Sequence, residues 1–181
     1  MLSFHGLETH CEPSTRKIKK CIKTWRKFFP NFILIEWNEY NFNIDSSPLY
    51  VKNAYSAKAW AFVSDYVRFK VLYEYGGIYL DTDVMFIKSP NNILKMPFLA
   101  LEKTFNIAPG LICGFEKNDP LCKEMIDSYE NSDYISCDGN QLTVCQRITP
   151  MMESKGFIKK DIYQECGGYH IYPSEYFCPI D

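Results

Sequence analysis

The stretch from Ala57 to Ser89, AKAWAFVSDYVRFKVLYEYGGIYLDTDVMFIKS, constrains the fold more than any other part of the chain. Ala57, Trp60, Ala61, Ser64, Val67, Val71 and Tyr75 recur at helical spacing, and Phe62, Tyr66, Phe69 and Tyr73 add a second apolar stripe. The spacing predicts one long helix over 57–75, buried on most sides. Asp65 and Arg68 are set into it three apart, on one face. Gly76 can take the positive-φ conformation that closes a helix, and Gly77 frees the chain to turn back. Ile78, Leu80, Thr82 and Val84 then alternate with Tyr79, Asp81 and Asp83. This predicts a strand with one core side and one side that presents a phenol and two carboxylates on a common surface.

Simple lengths bring the charges together. The helix rises roughly 15 Å from Asp65 to Tyr75, and an extended strand from Gly77 to Asp81 returns about 13 Å. Antiparallel packing of strand on helix therefore places Asp81 and Asp83 at the level of Asp65 and Arg68. Such a cluster lies at one end of a sheet, where α/β folds keep ligand crevices. An Asp-x-Asp pair alone is a weak signal, and an exposed helical ion pair has little energetic value. The context adds weight, because charges on an otherwise apolar helix are costly to bury unless paired or used.

The text SDYVRFKVLYEYGGIYLDTDV, from Ser64 to Val84, resembles the signature of the DXD-containing sugar transferases. Within that group it is similar to the family 32 enzymes, which include Och1-like mannosyltransferases and capsular polysaccharide transferases, and more distantly to the glucosylating clostridial toxins. The resemblance is specific over Ala54 to Ser89. It extends more loosely from about Lys20 to Pro179, through LIEWN at Leu34 to Asn38 and IYPSEYFCP at Ile171 to Pro179. It implies a GT-A fold, a Rossmann-like α/β sandwich, with parts of the family's N- and C-terminal elements missing. The implied reaction moves a sugar from a UDP- or GDP-sugar donor to a glycan or polysaccharide acceptor with retention of configuration, as in capsular polysaccharide biosynthesis.

The chemistry needs Mn²⁺ or Mg²⁺, which favour oxygen ligands and bridge carboxylates to phosphate. Such an ion stabilises the departing diphosphate as a Lewis acid. By resemblance, Asp83 is the direct metal ligand and Asp81 contacts the donor and, through water, the metal. Asp65 would hold sugar hydroxyls, Arg68 the sugar and diphosphate, and Tyr79 the nucleoside side. No general base is implied.

Two other readings stand beside this one. A glycoside hydrolase also uses paired carboxylates, but they must flank the scissile bond, and two on one strand face fit that poorly. A degenerate transferase would bind nucleotide or glycan without turnover. It enters because MLSFHGLETHCEP does not match the family's opening strand of the type I-P-K-x-I-H. Relatives also continue beyond the position of Asp181 into a segment that supplies another metal ligand, often a histidine.

The 181 residues suit one domain over 1–181, and 16% aromatics are enough to line a sugar site. A formal charge of −2 argues against general nucleic-acid binding. Eight cysteines form no C-x-x-C pair, so they read as thiols of a reducing compartment, with a zinc site disfavoured. That places the chain in the cytoplasm, or peripheral to the inner membrane. No run approaches the ~18 apolar residues of a membrane span.

Elsewhere the pattern predicts a helix from Ser14 or Thr15 to about Phe29, with Ile18, Cys21, Ile22, Trp25 and Phe29 buried. Lys17, Lys19, Lys20 and Lys23 form its solvated face. Strands are predicted at 32–37, 84–88, 98–102, 107–113 and 171–173. Helices are predicted from Asp119-Pro120 to about Tyr129 and over 142–155, the latter interrupted by Pro150. Trp37 suits the core or a stacking role, and Asn106 and Pro109-Gly110 suit the acceptor side. His5 and His10 read as solvated terminal residues.

Overall fold

The computed structural model describes residues 2–4, 15–90, 94–134 and 141–178. Among these, seven strands form one mixed sheet: β1 (Leu2–Phe4), β2 (Ile35–Trp37), β3 (Gly77–Leu80), β4 (Phe98–Ala100), β5 (Cys113–Phe115), β6 (Gln164–Cys166) and β7 (Tyr169–Tyr172). Their spatial order is β2-β1-β3-β5-β4-β7-β6. The parallel trio β2-β1-β3 is the Rossmann-like part, and β5 runs antiparallel to both β3 and β4. The opening segment departs from the family's text, yet its backbone supplies a strand between β2 and β3, with Leu2 opposite Ile35 on one side and Tyr79 on the other. His5 and His10 lie outside the described residues.

Helices cover both faces of this sheet. On one face lies α1 (Thr15–Phe28), whose Cys21 and Trp25 pack with Phe29, Ile78, Leu80, Phe98 and Ala100. On the other lie α2 (Leu49–Ser56), α3 (Trp60–Tyr75), α4 (Pro120–Glu130) and α5 (Val144–Glu153), enclosing Tyr79, Leu99 and Cys113. A short helix α6 (Ser174–Phe177) follows β7. Alternate residues of β3 thus enter two different cores, and Tyr79 and Leu80 are both completely buried.

α3 is buried as the double stripe predicts, with Asp65 through Phe69 all inside. The helix expected over 57–75 is α3, which starts three residues later, at Trp60, after a separate helix α2 has ended at Ser56. α2 ends in a Schellman closure: Ala59 N–H bonds Ala54 C=O, Lys58 N–H bonds Tyr55 C=O, and Lys58 sits at φ 57. Glycine usually occupies that position, and here a lysine takes it. Gly76 closes α3 at φ 69, and a Cβ there would lie 2.8 Å from the backbone nitrogen of Lys117.

Two predicted strands are corrected. Residues 84–88 form no strand, because their backbone bonds to side chains of α1. Trp25 Nε1 donates to Val84 C=O, and Phe86 N–H donates to Thr24 Oγ1. Over 107–113 only Ile107 bridges, to Leu101; the chain turns through 108–111 and the strand begins at Cys113. β6 and α2 were not foreseen. The helices at α4 and α5 begin at side-chain caps, Asp119 and the Thr143–Gln146 capping box.

Candidate active site

The geometry starts at the return from α3 to β3. Gly76 and Gly77 turn the chain back, β3 runs along α3, and Asp81 arrives beside Arg68 as the length argument requires. Arg68 Nη2 lies 2.9 Å from Asp65 Oδ1 and 3.6 Å from Asp81 Oδ1. Its guanidinium carbon sits 4.7 Å from the centre of the Tyr79 ring. Burial opposes the charge of Arg68, but Tyr79, Asp81 and Asp65 outweigh it and hold the group protonated.

Asp65 is buried, and burial pushes its carboxyl up to about 6 against the opposing pull of Arg68. A backbone N–H of Val144, the first residue of α5, also supports it. This aspartate therefore ties α3 to α5 as well as to Arg68.

Tyr79 is the main correction at the site. The alternation predicts an exposed phenol beside the aspartates, but the helices α2–α5 cover that face and leave Tyr79 fully buried. Its hydroxyl donates to Asp81 Oδ1 at 2.7 Å, and burial raises its pKa well above that of a free phenol. It orients Asp81 from behind.

β3 ends at Leu80, so Asp81, Thr82 and Asp83 lie in a turn, closed by Val84 N–H to Asp81 C=O. The turn forms one wall of a cleft of about 540 Å³. Trp60, Ala61 and Ser64 of α3 form a second wall, and Lys17 and Lys20 of α1 a third. Asp81 is half-buried and Asp83 exposed. Asp65, Arg68 and Asp81 are thus joined directly, while Asp83 stands further out in the cleft.

Gly110 completes the arrangement. Its C=O accepts from Asp81 N–H, and a Cβ there would lie 2.7 Å from Asp81 Oδ2 and 3.0 Å from Arg68 Nη1. That Nη1 is buried and has no hydrogen-bond partner among the described residues. A buried, charged donor left open beside a carboxylate oxygen is a ready place for a ligand oxygen. Sequence reasoning put Gly110 on the acceptor side and Lys17 and Lys20 on a solvated face. Nothing in the sequence shows that α1 crosses the mouth of the cleft. Trp37 belongs to the core, its ring 5.4 Å from that of Tyr75.

Among the described residues no three His, Cys, Asp or Glu side chains gather as a metal cage. Asp81 and Asp83 still suit a hard divalent cation, because Mg²⁺-type sites use one or two carboxylates and complete the shell with phosphate and water.

Residues 15–99 match the family model described as a glycosyltransferase sugar-binding region containing a DXD motif. That stretch holds Asp65, Arg68, Tyr79, Asp81 and Asp83. An uncharacterised protein of Arabidopsis thaliana is 28% identical over 119 residues, covering 65% of this chain and 18% of that protein. The chain therefore spans under a fifth of the length of this curated relative. The solved structure of the PaToxG glycosyltransferase superposes with a TM-score of 0.61 at 17% identity, over 84% of this chain and 67% of the other. The chain has the fold of a glycosyltransferase, and its cleft is built within a stretch that matches a DXD-type sugar-binding region.

Proposed function

We propose that this chain is a metal-dependent glycosyltransferase that moves a sugar from a nucleoside-diphosphate sugar to a glycan acceptor. One observation carries the reading: Arg68, with an unpartnered buried Nη1, stands directly behind Asp81, which lines the cleft together with Asp83. Asp83 and Asp81 would hold Mn²⁺ or Mg²⁺, which supplies Lewis-acid stabilisation of the departing diphosphate when bound. Arg68 offers Nη1 to a sugar or phosphate oxygen, and Asp81 Oδ2 accepts from a neighbouring hydroxyl. Tyr79 and Asp65 hold Asp81 and Arg68 in place.

Asp81 and Asp83 share one turn, so both approach a bound sugar from the same wall. That suits a metal and a diphosphate better than it suits the opposed pair of a glycoside hydrolase. Among the described residues that line the cleft the carboxylates are those of Asp81 and Asp83, both on one turn, and the proposed transfer proceeds with retention of configuration. The described cysteines are free thiols, in keeping with a reducing compartment such as the cytoplasm.

Calorimetric titration with UDP- and GDP-sugars, each with and without Mn²⁺, tests the reading. Binding of one donor that requires the ion, followed by release of the nucleoside diphosphate on adding glycan acceptors, is the expected outcome. Ion-dependent binding without turnover under any acceptor would leave a binding protein. Cleavage of a glycan in the absence of nucleotide would make it a hydrolase.

A further inference from the structure

α1 holds Arg16, Lys17, Lys19, Lys20, Lys23, Arg26 and Lys27 and no acidic residue, in a chain with a formal charge of −2. Its inner side is spent on Cys21 and Trp25, so all seven cations are exposed. The ion pairs among the described residues all lie elsewhere. The helix is therefore a concentrated positive face on a slightly acidic protein.

Large apolar side chains stand beside it. Phe32 and Ile33 follow α1 and are 46% and 79% exposed; Met85 and Ile87 are 50% and 71% exposed. Both segments are clasped to the helix. The Phe32 ring packs 5.2 Å from Phe29, and Phe29 packs 5.2 Å from Phe86. Phe86 points inward while its neighbours Met85 and Ile87 point out. Met85 also lines the cleft with Lys17 and Lys20, so this face and the cleft mouth share a rim.

We propose that this face docks on an anionic membrane surface. The α1 cations would meet lipid headgroups, and Phe32, Ile33, Met85 and Ile87 would enter the interface. A nucleic acid or a soluble polyanion would satisfy the cations but leave four apolar side chains in water. An anionic bilayer satisfies both. The cleft then opens at the lipid surface, where an acceptor anchored in that membrane would meet it.

Co-sedimentation of the full chain with vesicles tests this, without any nucleotide present. Vesicles of phosphatidylcholine carrying roughly one third phosphatidylglycerol should bind the protein and pure phosphatidylcholine should not, with binding falling as salt rises. Lys19→Gln, Lys23→Gln and Lys27→Gln lie outside the cleft, and each should lower partitioning about fivefold. The double variant Ile33→Ser with Ile87→Ser keeps the charge and should also release the protein from vesicles. Equal binding to neutral vesicles, or no loss in the glutamine variants, overturns the proposal. Vesicle binding unchanged in the serine variant overturns it too, since the face would then be a simple polyanion site. Vesicle binding by a chain that binds no nucleotide-sugar would leave this inference standing and remove the transfer reading alone.

Discussion

Arg68 and Asp81 come from opposite arms of a helix-to-strand return and stand 3.6 Å apart, with Gly110 filling the space over both. Tyr79 packs against both, Arg68 is buried, and Asp81 faces the cleft. Its surroundings make the site testable one residue at a time.

Gly110→Ala should impair function without unfolding the protein. The added methyl carbon would come 2.7 Å from Asp81 Oδ2 and must displace that carboxylate or the Arg68 fork. A shift of this size at a reacting centre costs on the order of a hundredfold in turnover. Donor affinity and turnover, compared with the melting temperature, decide it. Wild-type kinetics in the alanine variant would mean that the Asp81 position is not critical.

Asp83→Asn and Leu80→Asp should separate chemistry from stability. Asp83 is exposed, so its amide variant should melt like wild type and lose ion-dependent donor binding. Leu80 is fully buried between α1 and the sheet, and a carboxylate there should destabilise the fold by several kcal/mol. Similar destabilisation by both, with nucleotide binding kept in Asp83→Asn, would make the aspartate structural.

Arg68→Ala should destabilise the domain by about 3–5 kcal/mol, because it leaves the buried Asp65 without its cation. Urea unfolding measures the loss. Pairing it with Asp65→Asn should give a double variant markedly less destabilised than the two separate losses combined. Additive losses would show that the two groups do not interact.

Asp65 also predicts a pH dependence. Its carboxyl titrates at about 6 in the folded protein against an ordinary 3.8, so the folded state holds a proton that the unfolded chain has lost in that window. Its contribution to stability therefore declines as pH rises from about 4 to about 6 and is flat above that. The ionised form that pairs with Arg68 is complete only above the same range, so donor binding should weaken as pH falls through about 6. Asp65→Asn should remove this part of the stability slope. A difference in melting temperature between wild type and variant that stays constant across the window would mean that Asp65 is ionised throughout.

The sequence by itself determined the unit that carries the site. A helix with two apolar stripes has to be buried, a Gly-Gly pair has to turn the chain, and equal lengths of helix and strand have to bring Asp81 back to Arg68. These are local rules of period and rise, which is why they were legible. Tertiary structure alone decided the rest. Residues 84–88 could not be a strand because α1 side chains took their backbone groups. Tyr79 became an internal brace for Asp81 because helices cover both faces of β3, and alternation names the sides of a strand without telling which are covered. Gly110 reached Asp81 and the α1 lysines reached the cleft through contacts between segments far apart in the chain, and such contacts leave no periodic trace in either segment.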